Sequence, residues 1–171
     1  MAVSKSNPCF GGVYKIVEID EHPVIKLSED VIKISNPGFK EVYRIYDKSG
    51  LAYADLITLV KSDKDKELLI HGKELVIRDE KYDFKFSVLK ENEYTIKKLT
   101  RQYVKNGEII LSEYEKLFDI MGSQKYYREN LAKISEERKR LENPHKYKVD
   151  LSTDLVNLKY SLIKSIKSEI G

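Results

Sequence analysis

The stretch EVYRIYDKSGLAYADLITL, residues 41–59, contains two runs rich in β-branched and aromatic residues, separated by Lys48, Ser49 and Gly50. Runs of this composition favour extended strands, and the small polar residues between them favour a tight turn. The stretch therefore predicts a β-hairpin in the first half of the chain.

The strand pattern continues on both sides of this hairpin. Upstream, GVYKIVEI (12–19) and PVIKLS (23–28) are predicted strands joined by a turn at Asp20, Glu21 and His22, and Asn36-Pro37-Gly38 predicts a further turn. Downstream, KSDKDKE (61–67), charged at every position but Ser62, predicts an exposed loop. LLIHGKELVI (68–77) and FKFSVL (84–89) predict strands, and YTIKKLTRQYV (94–104) fits a strand or a short helix.

The second half of the sequence changes to a helical period. SQKYYRENLAKI (123–134) predicts a helix with Ser123 as N-cap, and SEERKRL (135–141) predicts a short helix capped by Ser135, which NPHKY (143–147) ends. The clearest helix lies within residues 151–170, with Ser152 as N-cap and Asp154 in the first turn. Its apolar stripe consists of Leu155, Leu158, Leu162, Ile166 and Ile170.

The order of these elements indicates the fold class. Strands come first and helices after, which predicts an α+β fold and not alternating βαβ units. We expect an N-terminal β-rich meander, residues 13–110, with a helical C-terminal part, residues 111–171, packing on it.

Composition limits the kinds of function. Among 171 residues, Lys and Arg number 31 and Asp and Glu 28, a balance that argues against a nucleic-acid module, which concentrates basic charge. The single cysteine, Cys9, excludes an intramolecular disulfide framework and favours a cytoplasmic location. No apolar run approaches the roughly 18 residues that span a bilayer, and residues 1–7 lead into no signal-peptide core.

Residue chemistry alone predicts no assembled active site and no metal site. His22, His71 and His145 lie far apart without a ligand-spacing partner, so each is expected in a turn or on the surface. Cys9 has no orienting base and is expected to be a small, partly buried side chain. Gly11-Gly12 allows a backbone to approach a phosphate, but a tight entry into a strand is the favoured interpretation.

Two binding alternatives remain open at the residue level. ERKRLENPHKYK (137–148) carries basic side chains, and Tyr126, Tyr127 and Tyr147 would supply stacking surfaces for single-stranded nucleic acid, although the acidic residues make the segment a mixed solvated face. The amphipathic last helix suits a membrane surface, but packing on the β-rich part or on a partner is favoured. We expect neither nucleic acid nor membrane as a partner.

Two separated blocks of the sequence resemble the C-terminal region of nicotinate phosphoribosyltransferase. The first block is VSKSNPCFGGVYKIVEI, then PVIKLSED, PGFKEVYRIYDKSG and ADLITL, and the second is RKRLENPHKYKVDLS with DLVNLKYSLI. Their order and spacing are similar to the family pattern, and residues 63–126 match weakly. The chain departs from the family at Asp20-Glu21-His22, where a turn like Asn-Gly is common, and at Cys9-Phe10, where small or aliphatic residues are usual.

The resemblance implies a fold and an activity for the family. Its enzymes join nicotinate to phosphoribosyl pyrophosphate, with ATP hydrolysis and Mg, to give nicotinate mononucleotide in NAD salvage. They have an irregular α/β barrel of the type II phosphoribosyltransferase kind, a lobe built from the chain ends, and commonly form dimers. This chain would be the C-terminal lobe, with residues 1–12 a remnant of the exit from the barrel.

The resemblance also predicts what this chain lacks. The family's phosphohistidine, nicotinate-binding arginine and phosphate loop match no residue here, so we expect no catalytic residue, no bound cofactor and no activity of the chain alone. Residues that match positions just after the phosphate loop are candidates for its edge: Ser4, Lys5, Gly11, Gly12 and Lys15. The favoured alternative is that GGVYK attaches the lobe to the barrel.

Three functions follow as hypotheses. The first is a supporting lobe whose partner is the barrel portion of the same enzyme, with supply in trans as one option and a homo-oligomer as another. The second is a stand-alone binding or interaction module derived from that lobe. A large exposed apolar patch around Val13 to Ile19 would favour the first over the second. The third is a nucleic-acid binder, which rests only on the Lys and Tyr content.

Overall fold

A six-stranded mixed sheet is the centre of the computed structural model, which describes residues 12–29, 33–69, 73–80, 82, 84–110, 112 and 119–170. Its strand order is β6-β5-β10-β4-β3-β7. These strands are β3 (Lys40–Asp47), β4 (Ala52–Leu59), β5 (Leu75–Asp79), β6 (Phe86–Leu89), β7 (Tyr94–Lys98) and β10 (Lys148–Leu151). Two short hairpins flank it in sequence: β1 (Glu18–Ile19) with β2 (His22–Pro23), and β8 (Val104–Lys105) with β9 (Glu108–Ile109).

The hairpin predicted from residues 41–59 is confirmed as β3 paired antiparallel with β4. The Asp47 carboxylate closes its turn by accepting hydrogen bonds from the N–H groups of Ser49 at 2.9 Å and Leu51 at 3.0 Å. Gly50 completes the turn with a φ of +80°, a conformation that glycine adopts without steric cost. The hairpin also contributes Ile45, Ala54 and Leu56 to the core.

Strand β10 was not predicted. It pairs parallel with β4 and antiparallel with β5, so a strand from the C-terminal half lies in the middle of the sheet. The four residues KVDL follow Asn143-Pro144 and directly precede the last helix, too short a run for its pattern to separate strand from loop. The α+β class is confirmed, but the sheet is not a simple N-terminal meander.

The sheet is curled around its main core. Strands β6 and β7 form opposite edges of the sheet although only residues 90–93 separate them in the chain. The Tyr94 hydroxyl at the start of β7 donates to the carbonyl oxygen of Lys73, just before β5, at 2.5 Å. Curling encloses one face of the sheet, where the fully buried side chains are Ile45, Ala54, Leu56, Leu75 and Ile77.

The long C-terminal helix packs against the other face of the sheet. Four helices are described: α1 (Asp63–Leu68), α2 (Ile120–Ala132), α3 (Glu136–Lys139) and α4 (Thr153–Ile170). Helix α4 contacts β4 and β5, and a second core forms where its Leu155 and Val156 meet Leu151 of β10. Ile57 and Leu59 of β4 pack on this core from the sheet.

Several predicted boundaries were wrong. The predicted loop 61–67 contains helix α1, whose N-cap Ser62 accepts from the N–H of Asp65. Helix α2 begins at Ile120 with Asp119 as N-cap, and not at Ser123. In both cases a side-chain oxygen that accepts from a first-turn N–H sets the start of the helix, the Ser62 hydroxyl for α1 and the Asp119 carboxylate for α2. Ser152 is confirmed as the residue before α4, with its hydroxyl accepting from the N–H of Leu155 at 3.2 Å.

The predicted N-terminal strands are much shorter than their apolar runs. Only Glu18–Ile19 and His22–Pro23 pair, around the predicted turn at Asp20 and Glu21, both of which have positive φ. The 94–104 segment forms β7 and the start of β8. Across the part of the chain that the structure describes, no helix is both long and apolar enough to cross a membrane.

Candidate docking surface and its polar anchors

An apolar stretch at the start of the described chain is exposed. Val13 and Tyr14 are 86% and 89% exposed, and Ile16 and Ile19 are each 52% exposed. We call these four side chains the N-terminal apolar segment. Isolated exposed apolar residues are ordinary, but several within seven consecutive positions make this segment a candidate contact surface.

Hydrogen bonds fasten the end of this segment to the body of the domain. The carbonyl oxygen of Val17 accepts from the N–H groups of Val24 at 2.9 Å and Gly38 at 2.7 Å. The Glu18 carboxylate accepts from the N–H of Phe39 at 2.8 Å, a bond that lowers the pKa of Glu18. The apolar side chains are therefore presented from a backbone fixed at Val17 and Glu18.

The turn at residues 36–38 binds this backbone through the N–H of Gly38. Its carbonyl groups converge on the Lys40 ammonium, which donates to the oxygens of Asn36 at 2.8 Å, Pro37 at 3.3 Å and Gly38. Burial lowers the pKa of Lys40. Lys159 of α4 donates to the Asn36 side chain at 2.9 Å, so the turn connects the segment, the sheet and the long helix.

Gly38 is the close-packed glycine of this junction. Its φ is +78°, and an added Cβ would lie 2.9 Å from Leu59 Cδ2 and 3.5 Å from Leu158 Cδ2. A Cβ fits there only if the Leu59 side chain shifts, since the distance to Leu158 is an ordinary van der Waals contact. The Asn36-Pro37-Gly38 motif predicts a turn at this position, but no local pattern indicates that its glycine is the packed contact.

The residues that the sequence proposed for a phosphate-site edge are only partly described. Ser4, Lys5 and Gly11 lie outside the described residues, as do Cys9 and His71. Gly12 is exposed, and a Cβ added to it would meet nothing within 4 Å. Lys15 is exposed and donates to the carbonyl oxygen of Lys33 at 3.0 Å. The structure brings none of the described candidates into a closed pocket.

A cluster of charged and polar side chains attaches the segment just before β10 to the sheet. Arg44 of β3 donates from Nε and Nη2 to the two carboxylate oxygens of Asp55 on β4, at 2.8 and 2.9 Å. The Tyr147 hydroxyl donates to Asp55 Oδ1 at 2.9 Å, and burial, followed by this bond, raises the pKa of Tyr147. The bond to Asp55 raises the pKa of Arg44, which stays cationic. The cluster fixes the chain just before β10.

A buried carboxylate ties β4, α1 and α4 together. Asp65 of α1 is 1% exposed. Its Oδ2 accepts from the N–H of Leu59 at 2.7 Å and from the hydroxyl of Ser152 at 2.6 Å. Its Oδ1 has no hydrogen-bond partner among the described residues. Burial raises the pKa of Asp65, and the nearby Asp154 carboxylate acts in the same direction.

The described histidines take the positions expected of surface residues. His22 is exposed, with Nδ1 2.7 Å from the carbonyl oxygen of Asp20, and His145 is exposed in the segment before β10. Within the described ranges, no three side chains of the types His, Cys, Asp or Glu come together as metal ligands. The polar clusters found are hydrogen-bonded anchors, and sequence reasoning missed Asp65 because it lies in a run of charges.

The fold defines the class of this chain: an α+β domain with a curled, six-stranded mixed sheet and one long helix packed on it. The family model described as "Nicotinate phosphoribosyltransferase C-terminal domain" matches residues 39–159, most of the chain. The chain therefore belongs to the nicotinate phosphoribosyltransferase C-terminal domain family, which confirms the resemblance read from its two motif blocks.

Curated relatives match nearly the whole chain. The nicotinate phosphoribosyltransferase of Caenorhabditis elegans is 31% identical over 163 residues, covering 95% of this chain and 27% of the relative. That of Bacillus subtilis is 31% identical over 172 residues, covering 95% of this chain and 32% of the relative. This chain thus spans about a third or less of the curated relatives that it matches.

A solved structure matches the fold. It is described as the crystal structure of human nicotinic acid phosphoribosyltransferase, with a TM-score of 0.70 and 22% sequence identity. The match covers 90% of this chain and 27% of the human one. At that identity the likeness supports the arrangement of the elements alone.

Proposed function

We propose that this chain is the C-terminal portion of a nicotinate phosphoribosyltransferase and acts as a supporting lobe that docks on the catalytic barrel. The barrel would be supplied by the remainder of the enzyme, which joins nicotinate to phosphoribosyl pyrophosphate with ATP in NAD salvage. The lobe is not catalytic alone, and it works in the cytoplasm.

The observation that carries this proposal is the exposure of the N-terminal apolar segment. A self-sufficient domain of this size would gain by burying these side chains, at roughly 25 cal/mol per Å² of apolar surface. Here Tyr14 and Val13 remain almost fully exposed, whereas Leu56 and Leu155 in the two cores are fully buried. The uncovered surface suits contact with a barrel and argues against a stand-alone module.

The N-terminal apolar segment includes or adjoins two candidate residues for the edge of the phosphate site, Gly12 and Lys15. Residues 1–12 form the junction with the barrel, and Gly12 and Lys15 then lie where the barrel's phosphate site ends. Lys15 is exposed, and its ammonium donates to the Lys33 carbonyl oxygen among the contacts described.

Binding and activity measurements with the separately purified barrel portion from the same organism test this function. The chain should form a complex with the barrel, and nicotinate mononucleotide should appear only when both parts are present with nicotinate, phosphoribosyl pyrophosphate, ATP and Mg. Product formed by the chain alone, or failure of the two parts to associate, contradicts the proposal.

A matched pair of variants locates the contact. Tyr14→Asp places a charge in the N-terminal apolar segment and should weaken association with the barrel at least tenfold, because a desolvated charge is costly at an interface. Tyr160→Asp adds the same charge at an exposed tyrosine of α4 and should leave association unchanged. Equal effects of the two variants would place the contact elsewhere.

A further inference from the structure

A pocket whose described polar lining is mainly basic lies beside the charged cluster. Its volume is about 330 Å³, and Arg44, Arg138, His145, Lys146 and Tyr147 supply its polar groups. The remaining described lining residues are Ile134 and Pro144, so the described wall includes no acidic side chain. We call this the basic pocket.

The two guanidinium groups of the basic pocket are held in place by the protein. Arg44 uses Nε and Nη2 for the Asp55 carboxylate, and Arg138 donates to the carbonyl oxygens of Ala52 and of Tyr53, the latter at 2.9 Å. A guanidinium has five N–H donors, so these bonds leave donors on both arginines. Donors fixed in advance lose little conformational entropy when they bind a ligand.

Tyr147 connects the two arginines. The central carbon of the Arg138 guanidinium lies 4.8 Å from the centre of the Tyr147 ring, and that of Arg44 lies 5.5 Å from it. Two cations beside one aromatic ring repel each other unless negative charge is near, and Asp55 supplies only one negative charge. Because the pKa of Tyr147 is raised, its hydroxyl stays neutral and adds no negative charge.

Lys146 increases the positive charge of the basic pocket. With Arg44 neutralised by Asp55, Arg138 and Lys146 remain as cations facing the cavity. His145 lies at the same rim, with its N–H bonded to the carbonyl oxygen of Glu137 at 2.9 Å. Guanidinium and ammonium groups placed together favour an oxyanion with several acceptor oxygens.

We propose that the basic pocket binds a phosphate-class oxyanion, a ligand site separate from the docking role of the N-terminal apolar segment. Arg138 and Lys146 contact the oxyanion, and Arg44 is positioned by Asp55 at the back of the site. The inference rests on the pocket of this chain and does not depend on the barrel.

Titration of the full chain with inorganic phosphate tests the site. Amide resonances are followed by two-dimensional NMR at constant ionic strength, with chloride as the matched salt. We expect saturable shifts concentrated at residues 44, 138 and 145–147 with phosphate and none with chloride. Shifts that do not saturate, or that chloride reproduces, overturn the proposal.

Two lysine variants separate the site from general surface charge. Lys146→Ala should weaken phosphate binding at least threefold, because it removes an exposed cation without touching the bonds that hold the arginines. Lys105→Ala removes an exposed cation from β8 and should leave phosphate affinity unchanged. Equal weakening by the two variants, or no weakening by Lys146→Ala, overturns the proposal.

Discussion

Gly38 and Gly50 have nearly the same backbone conformation but different surroundings. Their φ angles are +78° and +80°, and a Cβ at Gly38 would meet Leu59 at 2.9 Å whereas one at Gly50 would meet nothing within 4 Å. The pair therefore separates the conformational cost of replacing glycine from the cost of overpacking.

Alanine substitution at the two glycines measures that difference. Gly50→Ala should lower the free energy of unfolding by about 1 kcal/mol, the cost of a side chain at positive φ. Gly38→Ala should cost about 1–3 kcal/mol more, because the Leu59 side chain must move to make room for the methyl group. Urea denaturation of both variants gives the values, and equal costs would mean that the junction is loosely packed.

Asp65 shows how a buried group makes stability depend on pH. Burial raises its pKa in the folded state above the ordinary value of 3.8, so ionisation is less favourable in the folded chain than in the unfolded one. The folded state therefore loses stability as pH rises from the unfolded pKa to the raised folded pKa, and above that the penalty is constant.

The variant Asp65→Asn isolates this effect. An amide oxygen can still accept from Leu59 and Ser152, while the ionisation is removed. Subtracting the free energy of unfolding of the wild type from that of the variant cancels other titrating groups, including Asp150. This difference should increase as pH rises from about 3 to 7. Denaturant titrations at several pH values measure it, and a flat or falling difference would contradict the raised pKa.

At the scale of elements, α4 and β10 carry the second core. Leu151 of β10 and Leu155 of α4 are essentially unexposed, and Ile57 and Leu59 pack against them from β4. The amphipathic stripe predicted for the last helix was therefore correct in its first turns, where Leu155 faces the sheet.

Truncation of Leu155 tests the energetic weight of this helix. Leu155→Ala should lower the free energy of unfolding by about 2–5 kcal/mol, through lost burial and the cavity left behind. Lys164→Ala, on the exposed side of α4, should change it by less than about 0.5 kcal/mol. Chemical denaturation of the two variants measures these changes in the free energy of unfolding. A small effect of Leu155→Ala would mean that the helix is weakly packed on the sheet.

The elements also show which parts of the fold local sequence encodes. The hairpin at 41–59 and the helix after Ser152 were predictable because their apolar periods and turn residues act locally. Strand β10 was not, because its four residues are stabilised by neighbours about 70 to 100 positions upstream. Helix α1 was not predicted because its sequence is highly charged, and no local pattern distinguishes its one buried carboxylate, Asp65, from the other charged residues.

For the whole molecule, β10 joins two halves of the sheet that are otherwise not paired. It lies between β4 and β5, and the strand order leaves no direct pairing of those two. Without it, β4 and β5 would each expose an unpaired row of backbone groups toward the same gap. The C-terminal part therefore completes the sheet as well as covering it.

Shortening the chain tests this dependence. A chain ending at Tyr147 lacks β10 and α4 and should lose the cooperative unfolding transition, since both the sheet and the second core are incomplete. A chain ending at Lys164 keeps β10 and the packed turns of α4 and should retain it. Circular dichroism during urea denaturation distinguishes the two, and cooperative unfolding of the shorter chain would contradict this account.

The sequence by itself determined the fold class and the central hairpin, because alternating apolar residues, caps and turn residues act over a few positions, and its two motif blocks carried the resemblance to the family. It also identified residues 13–19 as the stretch whose exposure would favour a docking role, but that exposure itself is a finding of the tertiary structure. Only the tertiary structure decided that Gly38 is the packed junction, that Asp65 is buried and that β10 lies in the middle of the sheet. These depend on side chains far apart in the chain, whose burial and pairing no local pattern specifies.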